Sequence, residues 1–398
     1  MVNDERIQEL LTRGVAEVIY DDALRTKLTT GKPLRIKFGV DPTSPNIHLG
    51  RATALLKLRD FQNLGHQIVF IIGDFTGVIG DTSDKESERP MLSRETVEQN
   101  LTTYFEQAGK ILDMSKVEEH RNTEWLEKLQ YREICDHADT FSLSDFIARD
   151  NIKRRLDAGK RISLRELLYP LMQGYDSVAV RADVEIGGTD QKFNMLAGRK
   201  LQERAGMVPQ NIITLEILEG LDGRKMSSSW GNTINLNDTP ADMFGKVMSL
   251  QDQLMMDYFK FATRIPIVRV EEIQAELNAG ANPRDIKMLL GEEIVKMFYG
   301  EDRAKHARAQ FVATFQDRAL PDDIEEVTAK EGESFADILV RSKTVASKTE
   351  WRRLVGEGAV KELDDEGAET KIEDPAILFS ADITLKVGKR RFIKIKKD

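Results

Sequence analysis

Apolar positions along the chain follow two periods. Near the N-terminus Ile7, Leu10, Leu11, Val15 and Ile19 keep helical spacing, and Leu34, Ile36, Phe38 and Val40 then alternate with their neighbours as a strand does. After a loop over 41–50, Leu55, Leu56 and Leu58 predict a helix that stops at Gly65. The unbroken apolar run 68–72 predicts a parallel strand buried on both faces, which completes a βαβ unit. Shorter apolar runs at 184–186 and 212–218 alternate with helical segments, extending a doubly wound α/β domain with a parallel sheet to residue 236.

From 237 to 320 the strand signal disappears. Ile286, Leu289, Leu290, Ile294 and Met297 fall at helical intervals, predicting a separate helical domain. The stretch 321–332 is acidic and poor in large apolar residues, as a linker is. Beyond it, 335–354 reads as helical, while 383–387 and 392–395, separated at Gly388, read as a hairpin. The span 333–398 is thus expected to be a small α+β domain.

Composition narrows the setting. No stretch approaches ~20 consecutive apolar residues, and the N-terminus lacks the basic-then-apolar layout of a secretory signal, so the cytoplasm is the expected location. A single cysteine, Cys135, excludes an internal disulfide framework and reads as a packed core thiol. Five scattered histidines without cysteine partners give no structural zinc pattern, so no protein-held metal is expected. Of these, His66, His120, His137 and His306 read as structural or solvated.

The net charge of −9 argues against nucleic-acid binding by the whole surface. Local charge differs. From Glu333 to Asp398 there are fourteen basic and thirteen acidic residues, so this segment is +1 while the remainder is −10. Lys386, Lys389, Arg390, Arg391, Lys394, Lys396 and Lys397 form a basic patch at its end.

Two clusters carry candidate chemistry. Asp41, Thr43, His48, Gly50 and Arg51 lie in the loop between the first predicted strand and the following helix. Ligands of open α/β sheets bind beyond such strand ends, and a helix N-terminus favours phosphate. Gly50 would permit close approach of a nucleotide, and Thr43 and His48 can donate to phosphate oxygens. Alone, the segment is equally an ordinary Pro-rich βα loop. The second cluster, Gly223 to Ser229, carries Lys225, Ser227 and Ser228, which can fold over a triphosphate and neutralise leaving pyrophosphate; a polar surface turn would look similar. Tyr169, Gln173 and Asp176 are spaced to share one helix face. A carboxylate at the bottom of an aromatic slot can accept a phenol O–H. The segment 73–81 is glycine-rich without a dinucleotide fingerprint or a P-loop lysine, and reads as a close-approach loop.

The two clusters, in this order and about a domain apart, resemble the HIGH and KMSKS signatures of class I aminoacyl-tRNA synthetases, here His48-Leu49-Gly50-Arg51 and Lys225 to Ser229. Between them, Tyr169-Pro-Leu-Met-Gln173-Gly-Tyr-Asp176 and Gly187-Gly188-Thr189-Asp190-Gln191 resemble motifs of tyrosyl-tRNA synthetases. The resemblance covers nearly the whole chain. It implies a Rossmann-like catalytic domain that activates L-tyrosine with ATP, accompanied by Mg²⁺, and transfers it to tRNA(Tyr). It further implies that Asp81, Tyr169 and Gln173 hold the substrate ammonium, Gln191 the carboxylate region, Gly188 and Asp190 the ribose, and Thr43 and His48 the γ-phosphate. Lys85 and Arg89 would help with pyrophosphate, and two solvated loop charges would read the same way. The family precedent adds an anticodon-side helical domain, a C-terminal RNA-binding domain and a homodimer through about 111–163.

Three positions depart from the family pattern. Arg51 replaces the second histidine of HIGH, and Ser228 replaces the second lysine of KMSKS, leaving Lys225 as the principal cation. Lys37 stands where one branch of tyrosine enzymes has a phenol-binding tyrosine. Arg51 and Ser228 motivate the alternative of a non-catalytic RNA-binding protein on the same scaffold.

Overall fold

The structure is a computed structural model that describes residues 4–81, 91–316, 324–363, 369–388 and 391–398. Lys85, Arg89, Lys389 and Arg390 lie outside the described residues. The chain divides into two compact units, one of residues 1–239 and 246–298, the other of 240–245 and 299–398. The helical segment expected over 237–320 is therefore shared between them.

The first unit is built on a six-stranded sheet: β1 (Val15–Ile19), β2 (Arg35–Val40), β3 (Gln67–Ile72), β4 (Val117–Arg121), β5 (Val184–Gly188) and β6 (Asn211–Leu215), in the order β1-β6-β5-β2-β3-β4. The order reverses between β5 and β2. All neighbouring pairs are parallel except β1 with β6. Ile68 to Ile72 of β3 are at most 1% exposed, and each such side chain contributes roughly 1.5–3 kcal/mol by leaving water. The doubly wound reading holds, with an antiparallel edge strand.

Two strands differ from the sequence expectation. Val15 and Ile19 do not continue the first helix: it ends at Thr12, Gly14 turns the chain at φ 65°, and β1 pairs with β6. Strand β4 escaped notice because its residues, Val-Glu-Glu-His-Arg, are mostly polar and sit on the sheet edge. Its Glu118 takes both guanidinium nitrogens of Arg35 at 2.8 and 2.6 Å. Cys135 is exposed and not a core thiol, on a helix, Tyr131–Ala138, none of whose residues is buried.

The helix Leu164–Ala179 begins with a capping box, in which Ser163 and Glu166 satisfy each other's backbone N–H groups. Glu166 also pairs with the buried Arg155. This helix packs closely on Lys192–Arg204 because Gly174 lacks a side chain; a Cβ there would lie 3.0 Å from the backbone of Ala197 and Gly198. The packing fixes how Tyr169, Gln173 and Asp176 face the sheet.

The second unit carries a five-stranded sheet of β7 (Glu325–Ala329), β8 (Val360–Leu363), β9 (Glu369–Lys371), β10 (Ile383–Val387) and β11 (Arg391–Lys397), in the order β7-β11-β10-β8-β9. The expected hairpin is β10–β11. Part of the span read as a linker is strand: β7 runs parallel to β11, placing Ala329 in a core with Trp351, Phe379, Leu385 and Ile393. The helical stretch 335–354 is two helices, Phe335–Arg341 and Lys348–Gly356, parted where Lys343 adopts φ 60°. No described helix is long and apolar enough to cross a membrane.

Candidate active site

All fifteen described candidate residues line one cavity of about 910 Å³ in the first unit, beyond the carboxyl ends of β2 and β5, where the strand order reverses. Its floor is made by the Leu164–Ala179 helix. Asp176 is 3% exposed; its Oδ1 accepts from Trp125 Nε1 at 2.8 Å and its Oδ2 from Asn122 Nδ2 at 3.4 Å. Burial pushes this carboxyl up to about 7, against the opposing charge of Lys37 and the two hydrogen bonds. Asn122 and Trp125 follow β4 in a stretch with no recognisable pattern, and sequence reading missed both.

Two turns away along the helix, the Tyr169 hydroxyl donates to Asp41 Oδ2 at 2.8 Å, and Thr76 donates to the other oxygen at 2.8 Å. Asp41, expected among the nucleotide contacts, is thus bonded toward the helix. Burial and neighbouring carboxylates raise the Tyr169 phenol well above its ordinary range, so it remains a donor. Gly73 makes room for this arrangement: a Cβ there would stand 2.0 Å from Asp41 Oδ1.

A chain of amides closes the next wall. Gln173 Oε1 and Gln191 Oε1 both accept from Asn194 Nδ2, at 3.0 and 3.2 Å, and Gln191 Nε2 donates to Asp81 Oδ2 at 2.7 Å. Asn194 was not foreseen, although its place three residues after Gln191 at a helix start is a usable signal. Gly188 leaves space for Asp190, whose Oδ1 would be 2.4 Å from a Cβ at that position.

The mouth is formed by the two signature clusters. His48 occupies the N-cap position of the helix Leu49–Asn63 without a side-chain capping bond, and Gly50 N lies 3.3 Å from Met226 Sδ, so the first turn of this helix meets the Lys225 loop directly. Burial, with the charges of Arg51 and Lys225, holds His48 down at about 3, a neutral imidazole at physiological pH. Its Nδ1 is buried without a partner. Arg51 Nη2 donates to Thr43 Oγ1 at 3.1 Å. Lys225 Nζ lies 3.4 Å from Asp190 Oδ2, and the Ser227 N–H donates to Asn232 Oδ1 at 2.8 Å. Ser228 starts a short 3₁₀ turn, Ser228–Trp230.

Lys37 is different. It is fully buried, and its Nζ is 2.9 Å from Glu185 Oε1, within the sheet and not on the cavity wall.

Comparison with known proteins agrees with this geometry. Residues 29–316 match the tRNA synthetases class I (W and Y). A tyrosine--tRNA ligase of Thermotoga maritima is 43% identical over 99% of this chain and 98% of its own length, and one of Mannheimia succiniciproducens is 45% identical over 97% of each. Among solved structures, a C-terminally truncated Aspergillus nidulans mitochondrial tyrosyl-tRNA synthetase shares the fold, with TM-score 0.66 at 22% identity over 78% of this chain and 94% of that one. The Archaeoglobus fulgidus tyrosyl-tRNA synthetase complexed with L-tyrosine does so with TM-score 0.61 at 23% identity, over 77% of this chain and 99% of that one. With the match spanning both signature clusters and the strands that carry them, the chain belongs to the class I tRNA synthetases of the W and Y family, among the tyrosine--tRNA ligases.

Proposed function

We propose that the chain activates L-tyrosine with ATP and transfers the tyrosyl group to the 3′ end of tRNA(Tyr). The observation that carries the reading is Asp176, a carboxylate held by Trp125 and Asn122 at the floor of the cavity. A phenol O–H directed there is accepted; phenylalanine would leave the acceptor buried and unpaired, at a cost of about 1–3 kcal/mol.

In this reading Asp81, Tyr169 and Gln173 bind the amino-acid ammonium, and Gln191 orients its carboxylate. Gly188 and Asp190 take the ATP ribose, with Gly50 and Arg51 shaping the nucleotide side, while Asp41 holds the Tyr169 hydroxyl. The tyrosine carboxylate attacks the α-phosphate in line, forming an acyl–phosphate bond while the bond to pyrophosphate breaks. The protein supplies orientation and charge rather than a covalent nucleophile. Neutral His48 and Thr43 donate to the γ-phosphate, and Lys225, with Ser227 and Ser228, neutralises the leaving pyrophosphate; the contact of Lys225 with Asp190 is partly exposed, so a phosphate can compete for it. Mg²⁺ enters as part of the ATP substrate. The 2′-hydroxyl of the terminal ribose then attacks the adenylate carbonyl, releasing AMP.

The second unit would contact tRNA. On the hairpin, Arg391, Lys394, Lys396 and Lys397 are ion-paired with Glu350, Glu326 and Glu331. Exposed pairs of this kind are worth ~0–1 kcal/mol, so phosphate can displace the carboxylates. A homodimer is part of the proposal. It is supported by exposed apolar side chains gathered within 131–168, among them Tyr131 at 83%, Leu143 at 64% and Leu164 at 77%.

The test is amino-acid-dependent exchange of pyrophosphate into ATP with tyrosine, tryptophan and phenylalanine, followed by tRNA charging. Exchange with tyrosine alone is expected. Absence of exchange with all three, alongside retained tRNA binding, would transfer the reading to a non-catalytic RNA-binding scaffold.

A further inference from the structure

Lys37 and Glu185 form a buried ion pair under the tyrosine-binding residues, with side chains 0% and 2% exposed. Lys37 Nζ also donates to the backbone carbonyl of Gln173 at 2.8 Å and to Ser177 Oγ at 2.7 Å, joining β2 and β5 to the Leu164–Ala179 helix. Stability is a poor reason for such a pair. Desolvating two charges costs several kcal/mol, and packed apolar residues of similar volume often serve as well.

What the pair supplies is polarity at a chosen point. Glu185 accepts from Gln173 Nε2 at 3.2 Å, from Ser177 Oγ at 3.2 Å and from Gln210 Nε2. An ionised carboxylate accepts only, so Gln173 turns its NH₂ toward Glu185 and its carbonyl away. That carbonyl meets Asn194 Nδ2, which also donates to Gln191, and Gln191 in turn donates to Asp81. Carboxylates bound the chain at both ends, and the orientation of every amide between them follows. Asn194 bears the consequence, its Oδ1 being buried without a partner. Reversing that amide would set its oxygen against two glutamine carbonyls.

We propose that Lys37–Glu185 is a positioning pair for amino-acid recognition, fixing the Gln173 amide so that Oε1 is the acceptor offered to the substrate ammonium. The proposal rests on the assignment of Gln173 to the tyrosine ammonium made above. Without an acceptor-only partner, Gln173 can reverse and present N–H groups to a cation, which repel it. Lys37 balances the charge of Glu185 and thereby allows a carboxylate to occupy this depth.

The experiment is a double-mutant cycle in pyrophosphate exchange by the full chain, with KM measured separately for tyrosine and ATP. Glu185→Gln, able to donate as well as accept, is expected to raise the tyrosine KM about tenfold while changing the ATP KM less than about twofold. Because that variant strands the Lys37 charge, Lys37→Gln/Glu185→Gln is measured beside it. It should melt near the parent protein and keep the raised tyrosine KM. In a Gln173→Ala background, Glu185→Gln should add less than about twofold. Equal shifts in both KM values, a parental tyrosine KM in the doubly neutral variant, or an undiminished effect in the Gln173→Ala background would each overturn the proposal. If Gln173→Ala itself leaves the tyrosine KM unchanged, the assignment of Gln173 falls, and this proposal with it.

Discussion

Trp125 donates its indole N–H to Asp176 Oδ1 at 2.8 Å, tying a residue that follows an edge strand to the carboxylate at the floor of the cavity. Trp125 itself packs edge-on against His120, with ring centroids 5.6 Å apart, and His120 bonds Glu118 and Glu124. The Asp176 carboxylate is thus oriented by groups outside the helix that carries it.

Replacing Trp125 by Phe keeps the ring and removes the donor. A hydrogen bond to a charged group is worth about 1.5–3 kcal/mol, so the tyrosine KM should rise at least about tenfold with the ATP KM little changed. Steady-state pyrophosphate exchange measures both, and an unchanged tyrosine KM would remove Trp125 from the pocket.

Asp176 also predicts a pH dependence of stability. Burial raises its carboxyl from 3.8 to about 7, so the folded state holds the proton more tightly than the unfolded state. The resulting contribution is complete below about pH 4 and is lost as pH rises through about 7. Asp176→Asn lacks this titration, so between pH 5 and 8 it should gain roughly 2–3 kcal/mol relative to the parent protein. Urea unfolding of both proteins at the two pH values tests the sign; identical pH dependence would mean that Asp176 does not titrate in this range. Asp176→Ala should abolish tyrosine activation and the preference over phenylalanine.

At Gly188, a methyl group would stand 2.4 Å from Asp190 Oδ1. Gly188→Ala must therefore displace the carboxylate assigned to the ribose, and the ATP KM should rise several-fold, about 1 kcal/mol or more, with the tyrosine KM nearly constant. Isothermal titration with a non-hydrolysable ATP analogue provides an independent reading.

For Lys225→Ala the expectation is slower adenylate formation, by about 10²–10³, with tyrosine affinity retained, since the charge acts on the departing pyrophosphate. Stopped-flow single-turnover measurements separate the rate from the binding. Equal weakening of tyrosine affinity would contradict the role.

A chain ending at residue 323 removes the β7–β11 sheet and its basic hairpin. Exchange of pyrophosphate should stay within about twofold, while tRNA charging falls by tenfold or more as phosphate contacts are lost. Undiminished charging would deny this unit its RNA contact.

By itself the sequence determined the strands β2, β3, β5 and β6 and the helices between them, the two signature clusters and the shared helix face of Tyr169, Gln173 and Asp176. These are legible because period-2 and period-3.6 patterns, and residues close together in sequence, are written locally. Tertiary structure decided the rest. β4 and β7 are strands through the edges they join, not through an apolar pattern of their own, and β1 is a strand because Gly14 and β6 take it out of the preceding helix. Asn122 and Trp125 reach Asp176 across about fifty residues of chain, and Lys37 meets Glu185 across two parallel strands, where its burial turns an apparent departure at the phenol into an internal ion pair. Such contacts depend on how sheet and helix pack, and the energy of a buried charge or amide is set by partners that no local pattern names.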